Sequence, residues 1–425
     1  MGAYRFVHSA DVHLDSPLCS LALRDPRLAE LVGNASRQVF SRIVDLCLDE
    51  QVNALLLAGD LYDGEQTSMK TARFLAEQLR RLDAAGIKVF IIRGNHDALS
   101  KITKELVLPE NVHLFGGRAD AVEIPRNRGE RPIAIHGLSF ARPQAPESLL
   151  AKYRPPVAGA INIGLMHTSL DGSPPHDVYA PCSTAELLGS GFRYWALGHV
   201  HKRSTTEGPC TVVMPGIPQG RDVGEQGPKS VTLASVLDDG SVTLDERIVG
   251  LAQFERVAVD ASGATSWSDL AARLDKALGD AAGRSVSDHL VARLAVSGAT
   301  SMAWSIRRDA DLLRTEAEAR AEAIGNVWIE KIDTDCRRPI VDSAESADPV
   351  ETLRRTMSDE IVGSEAFRAE ADGIVNDLLA QLPPECRRSL APDDTGLDLL
   401  VGRLASEGSE EVLARLAAGS SQEVR

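Results

Sequence analysis

Seven side chains in this sequence are competent metal ligands, and strand-like apolar runs end just before each group of them. After "YRFVHSA" come Asp11 and His13. After "NALLLA" come Gly59 and Asp60, with Asp63 three residues on. "IKVFIIR" is followed by Gly94, Asn95, His96 and Asp97, "AINIGLM" by His167, and "RYWAL" by Gly198, His199 and His201. The donors are carboxylate oxygen, amide oxygen and imidazole nitrogen, with no thiolate. Such a set suits manganese, iron, magnesium or zinc rather than a sulfur-ligated site. Asp11, His13, Asp60, Asn95, His167, His199 and His201 are more than one ion needs. With Asp60 shared they divide into two four-ligand shells. Two ions ~3.5–4 Å apart can clamp the attacking and leaving oxygens of an in-line displacement at phosphorus.

Taken alone, Gly-Asn-His-Asp reads most plainly as a polar turn. Five such strand ends on one edge of one sheet are a different matter, because open α/β sheets bind ligands at the carboxyl ends of their strands. Asp11 and His13 are two residues apart, as are His199 and His201, so on extended backbone each pair faces one side. Glycines 59, 94 and 198 allow the sharp turns that bring the next side chain inward. Asp63 reads as a brace for the "GDLYD" turn, and His8 as a hydrogen-bonded core residue. A metal role is not expected for His136, and His113 and His289 read as structural. His176, in "PPHDVY", is open between a substrate-path residue and a loop contact.

The elements that must position these residues follow from pattern. Residues 1–250 alternate apolar runs of strand length with amphipathic stretches such as "SRQVFSRIVDLCLDE" and "KTARFLAEQLRRLDAAG". That is the pattern of a layered α/β domain with a β-sheet core flanked by helices. "TVVMP", "KSVTLASV" and "SVTLDERIV" add β segments, with "DDG" as a hairpin turn. Residues 251–336 restart as strand, helix, strand, helix, strand, a small α+β module. Residues 337–349 read as a linker and 350–425 as a helical tail. In that tail Leu397, Leu400, Val401 and Leu404 form one apolar stripe, and Val412, Leu413 and Leu416 another.

A length of 425 residues favours about three domains. Six cysteines without a CxxC pair argue against a disulfide framework or a cysteine zinc site. No apolar run approaches membrane-spanning length, and the N-terminus carries neither a secretory nor a myristoylation pattern, so a cytoplasmic protein without a membrane partner is expected. The net charge of −15 is uneven: residues 1–250 hold 26 Lys and Arg against 29 Asp and Glu, and residues 251–425 hold 20 against 32. This balance excludes a general polyanion binder, but not nucleic acid at a site where metal ions supply positive charge.

In their order, "DVH", "GDLYD", "GNHD", "MH" and "GHVH" resemble the calcineurin-like metallophosphoesterases over roughly residues 4–250. Within that family the chain looks most like the SbcD and YhaO group of DNA repair exonucleases, related to the eukaryotic double-strand-break repair nuclease subunit. "HSADVHLDSP", "DGSPPHDVYAPCS" and "PGIPQGRDVGEQGPKS" lean towards YhaO. Asp15 departs from the glycine usual in SbcD-like chains. The resemblance implies that Asp11, His13, Asp60 and His201 hold one divalent ion and Asp60, Asn95, His167 and His199 the other, with Mn²⁺ the leading candidate. His96 would face the scissile phosphate and protonate the leaving oxygen, and Asp97 would orient its ring. It implies a 3′–5′ exonuclease with some endonuclease activity on DNA, the α+β module as a capping domain, and an SbcC/YhaN-like coiled-coil ATPase docking on the tail. A homodimer is also compatible with it. ATP would come from that partner, since this chain has no GxxxxGK[ST] loop. The competing reading is a phosphoesterase acting on a nucleotide or a phosphoprotein.

Overall fold

The computed structural model describes residues 3–16, 26–63, 68–98, 108–172, 179–339, 349–383, 387 and 390–420. The chain divides into two compact units. One comprises Met1–Arg256, Ala281–Ala292 and Asn326–Glu330; the other comprises Val257–Asp280, Arg293–Gly325 and Lys331–Arg425.

The first unit is built on two six-stranded sheets. Sheet one contains β1 (Tyr4–Ser9), β2 (Ala54–Ala58), β3 (Lys88–Ile92), β4 (Val112–Leu114), β11 (Ser230–Val236) and β12 (Val242–Ile248), in the order β12-β11-β1-β2-β3-β4. Sheet two contains β5 (Asp120–Ile124), β6 (Ile133–Gly137), β7 (Ile161–His167), β8 (Tyr194–Gly198), β9 (Ser204–Thr206) and β10 (Thr211–Met214), in the order β5-β6-β7-β8-β10-β9. β1, β2 and β3 are parallel, as are β6, β7 and β8. Their carboxyl ends are therefore the ends that carry the polar motifs.

Strand alternation explains the layering. Phe6, Leu56, Phe90 and Ile92 pack with Ile135, Ile163, Leu165 and Tyr194 in a core between the sheets. The intervening Val7, Leu55, Leu57, Val89 and Ile91 pack instead against Val39, Phe40, Ile43, Leu75 and Leu79. These come from helices α2 (Ala35–Asp49) and α3 (Met69–Ala84), which follow the short helix α1 (Pro26–Gly33). A strand covered on both faces must be apolar throughout, and β2, Ala-Leu-Leu-Leu-Ala, is wholly buried. The expectation of one sheet edge is thereby corrected: the motif-bearing strands belong to two sheets, three to one and two to the other. Buried parallel runs look alike in sequence whichever sheet they join.

β13 (Ala252–Asp260), β14 (His289–Ala299) and β15 (Val327–Arg337) form a third sheet in that order, accompanied by helices Trp267–Arg284, Ala303–Arg308 and Ala310–Ile324. The last two, expected as one helix, are separated at Asp309, whose φ of −103° and ψ of 43° are not helical. In the tail, helices Pro349–Thr356, Glu365–Ala380 and Asp394–Ser420 bury part of the apolar stripes within their own unit. Leu397, Leu400 and Val401 pack on Val375, and Leu413 packs on Trp304. Leu404, Val412 and Leu416 stay exposed. Among the described residues no helix is long and apolar enough to cross a membrane.

Candidate metal centre

The segments after β1 and β2 run side by side. The Asp11, His13 and Leu14 amides donate to the carbonyls of Gly59, Asp60 and Leu61 at 3.0, 3.1 and 2.9 Å. Asp11, His13, Asp60 and His199 have φ of 52°, 45°, 51° and 102°, in a region that non-glycine residues rarely occupy. The expected extended backbone is thus corrected at Asp11, His13 and His199: left-handed residues, not strand alternation, turn these side chains inward. Such strain is kept where surrounding structure enforces it, and it concentrates at functional sites. Gly94 answers a second constraint, since a Cβ there would fall on Asp60 Oδ1 and His167 Nε2.

Three groups of ligand atoms converge, each with all atoms within 4.8 Å of one another: Asp11, His13 and His201; Asp11, Asp60 and His167; and His13, Asp63 and His96. Asp11, His13, Asp60 and His167 are buried. His167 Nε2 lies 3.0 Å from Asn95 Oδ1 and 3.2 Å from Asp60 Oδ2, while its Nδ1 is held by the Ala58 carbonyl at 2.9 Å. His201 Nε2 lies 3.9 Å from Asp11 Oδ1. The His199 ring stands 5.1 Å from the His167 ring and 5.2 Å from Tyr179, and its backbone N–H donates to Asp11. All seven sequence-derived ligands therefore lie in this cluster, although His199 falls outside the tight triads.

His13 provides the test of whether a cation fits. Its Nδ1 is 2.7 Å from Asp63 Oδ1, and its Nε2 is buried with no hydrogen-bond partner. A buried polar atom without a partner is costly, and metal-bound imidazoles are commonly held by a carboxylate on their other nitrogen. His201 repeats the arrangement, with Nδ1 2.6 Å from Glu225 Oε1. The residues fit divalent cations.

Electrostatics agree. Burial acts to raise the Asp60 carboxyl, but the His167, His13 and His96 rings hold it well below the usual carboxylate range. Burial disfavours a charged His167, yet Asp60 lifts that imidazole to about 9. A cation taking that nitrogen must displace the proton, which couples metal binding to proton release. Hydrogen bonds from His13 and His96 outweigh burial and hold Asp63 far down. Burial is likewise outweighed at Glu225, which His201 and Arg221 lower to about 2.

His96 is the exposed member, its side chain 46% accessible. The orienting role expected of Asp97 is corrected. Asp97 accepts from the backbone N–H groups of Gly94 at 2.6 Å and Leu61 at 2.9 Å, so its carboxylate fastens the turn. Burial first, then the charge of Asp60, pushes its carboxyl up to about 7. The His96 backbone N–H donates to Asp60 Oδ1 at 2.9 Å, whereas its ring lies against Asp63, 3.3 Å from Nδ1, and this contact raises the His96 imidazole above its ordinary value. The contacts of these two carboxylates are thus the reverse of those expected from sequence. Sequence reasoning also missed Glu225 and Arg221, which lie in a loop where spacing carries no signal.

The other histidines lie elsewhere. His8 bonds Tyr194 Oη and the Leu197 carbonyl, both at 3.0 Å, tying β1 to β8, and burial pushes its imidazole down to about 3. His136, on β6, has its Nε2 2.9 Å from Asn162 Oδ1 on β7. His113 packs on Phe115 and His289 on Trp328. His176 lies outside the described residues. Asp15 has a φ of 58°, and its carboxylate pairs with Arg37 at 2.6 Å and with the Thr71 hydroxyl. A left-handed residue explains why glycine suits this position, and the pairing fastens the loop to α2 and α3.

Residues 4–203 match the family model for calcineurin-like phosphoesterases. The first unit carries a calcineurin-like metallophosphoesterase domain. Residues 254–337 match the model for the middle domain of metallophosphoesterase YhaO. The chain is 35% identical over 268 residues to the uncharacterized metallophosphoesterase YhaO of Bacillus subtilis, covering 62% of this chain and 65% of that one. It is 26% identical to the DNA double-strand break repair protein Mre11 of Methanopyrus kandleri, over 48% of this chain and 46% of that one. It is 24% identical to a subunit of the nuclease SbcCD of Bacillus subtilis, over 57% of this chain and 68% of that one. The chain thus spans less than two thirds of the first two of these relatives.

Proposed function

We propose that this metallophosphoesterase is a DNA nuclease with 3′–5′ exonuclease and some endonuclease activity. The observation that carries the metal-dependent reading is the buried, unpartnered His13 Nε2 facing carboxylates, with exposed His96 beside it. The name of the Mre11 relative supports DNA as the substrate class, and that of the SbcCD relative supports a nuclease.

In this reading Asp11, His13, Asp60 and His201 hold one divalent cation and Asp60, Asn95, His167 and His199 the other. Asp60 is the shared ligand, since His13 and His167 both act on its carboxylate. When bound, the ions supply Lewis-acid charge for the phosphoryl oxygens and activate water as the nucleophile. Manganese is the favoured ion, given an all-nitrogen and oxygen donor set. Asp63 and Glu225 hold the His13 and His201 rings by Nδ1, leaving Nε2 of each for the cation. Asp63 also favours the charged form of the nearby His96 ring, so that His96 can hold a proton at Nε2 and give it to the departing 3′ oxygen. Asp97 fixes the turn on which Asn95 and His96 stand.

The exposed apolar residues of the tail suit a protein partner, which we assign as a coiled-coil ATPase in the cytoplasm. The deciding experiment supplies Mn²⁺ to purified protein and compares linear duplex DNA, single-stranded DNA and bis(p-nitrophenyl) phosphate. Cleavage of DNA that a chelator removes and Mn²⁺ restores is the expected result. Hydrolysis of the small ester alone would replace the nuclease reading with a phosphoesterase acting on a nucleotide or phosphoprotein.

A further inference from the structure

The cluster gathers five acids, Asp11, Asp60, Asp63, Asp97 and Glu225, and its substrate in the nuclease reading is a polyanion. Bound cations would offset this charge at the reacting phosphate. Nothing in that ligand set serves the phosphates on either side of it. One fixed cation belongs to the same network. Arg221 donates its backbone N–H to Glu225 Oε2 at 2.8 Å, and its Nε and Nη2 reach Glu225 Oε1 at 3.2 and 2.8 Å. Nη2 also lies 3.2 Å from His201 Nδ1. If that nitrogen carries the proton given to Glu225, this approach is packing and not a second bond.

The guanidinium is therefore pinned by one carboxylate that also fixes a metal-competent histidine. Its side chain is 31% accessible, and no hydrogen bond from Nη1 is made among the described residues. A planar guanidinium held on one edge presents its remaining N–H groups in a fixed fork, the geometry suited to phosphate oxygens. Arg203, close by in sequence, is already engaged with Thr232 and Glu246. Position sets the target. Arg221 sits on the Nδ1 side of the His201 ring, whereas Nε2 faces Asp11, so the cation stands an imidazole's width from the point where the ligands converge. It remains close enough for its charge to be felt at His96 and for Asp63 to act on it in return.

We propose that Arg221, anchored by Glu225, binds the phosphate adjacent to the scissile one on the substrate strand, so that the site discriminates a polynucleotide from an isolated phosphodiester. The inference rests on the nuclease reading above.

The test uses the full chain reconstituted with Mn²⁺ and the variants Arg221→Met and Arg221→Lys. KM and kcat are measured on a short single-stranded oligonucleotide and on bis(p-nitrophenyl) phosphate, which has no neighbouring phosphate. Oligonucleotide binding to metal-free protein is followed by fluorescence anisotropy across a salt series. The expected result for Arg221→Met is a rise in oligonucleotide KM about tenfold greater than any rise for the ester, the loss of one charge-assisted contact. The slope of log affinity against log salt should fall by about 0.7, the single-strand value for one phosphate contact, and Arg221→Lys should recover part of both effects. Equal losses on the two substrates would overturn the proposal, showing that Arg221 acts only through Glu225 and His201. Unchanged oligonucleotide kinetics would overturn it as well. A wild-type protein that hydrolyses the ester but neither binds nor cuts the oligonucleotide would remove the nuclease reading itself, an outcome distinct from either.

Discussion

At the strand ends of the first unit, Asp11, His13, Asp60, Asp97 and His167 are almost completely buried, whereas in the tail of the second unit Leu399 is 71% exposed and Ile374 and Leu378 are each 57% exposed. Polar groups are hidden in one region and apolar ones displayed in the other. Each departure from ordinary burial implies something absent from the isolated chain. Buried carboxylates and imidazoles need cations or donors to offset desolvation. Exposed leucines and isoleucines clustered on helices need a surface to cover them. The contrast teaches that the two regions differ in kind, buried polar groups in one and exposed apolar surface in the other, and should respond separately to substitution.

The largest expected effect breaks the first side of the comparison. Asp60→Ala should reduce DNA cleavage to background, because its buried carboxylate converges with Asp11 and His167 and is the ligand proposed to serve both ions. Its folded content, followed by circular dichroism, should persist, since removing a carboxylate from the cluster relieves repulsion on Asp97. Retained cleavage would mean that the shared carboxylate is another residue.

Next in size is His96→Ala, which separates chemistry from binding within the cluster. Loss of a general acid costs ~10²–10⁴-fold in rate. Metal content and turnover measured on one preparation should show full metal with that loss. Wild-type turnover would reduce His96 to a turn residue, and a missing ion would make it a ligand.

A pair of variants then distinguishes the two carboxylates whose contacts reverse those expected from sequence. Asp97→Asn should lower stability by about 1–3 kcal/mol in denaturant unfolding, because an amide cannot accept from both the Gly94 and Leu61 N–H groups. Asp63→Asn should instead lower kcat with a smaller change in stability, through its contacts with His13 and His96. The reverse pattern would restore the orienting role to Asp97.

The smallest effect on the isolated protein tests the other side. Leu399→Asp should shift stability by no more than about 0.5 kcal/mol and leave metal content unchanged, because the side chain is already in solvent. Co-purification with the proposed coiled-coil ATPase should nevertheless fall. A large loss of stability would show that Leu399 packs within its own unit.

Much of this was legible in the sequence because burial writes itself into strands and helices. β1, β2, β3, β6, β7 and β8 each coincide with an apolar run, and α2 and α3 with three- and four-residue spacing. The polar residues at the ends of those runs could be gathered for the same reason. Periodicity reports which residues are buried but not against what, so the partition into two sheets was invisible. Backbone handedness at Asp11, His13 and Asp15 leaves no trace in residue type unless glycine occupies the site. Glu225 and Arg221 were hidden because a loop brings them in from irregular positions, and Asp63 was visible only as a brace for its own turn. Asp97 was misread because adjacency in sequence to His96 suggested a contact that the turn geometry gives to Asp63.

The central claim is that the buried cluster exists to hold two cations, and metal stoichiometry tests it most directly. Protein stripped with a chelator, reloaded with Mn²⁺ and desalted should retain about two ions per chain by elemental analysis, as a paired-metal phosphoesterase requires. Asp60→Ala treated identically should retain fewer. Wild-type protein that keeps no metal, or an Asp60→Ala variant that keeps as much as wild type, would contradict the account.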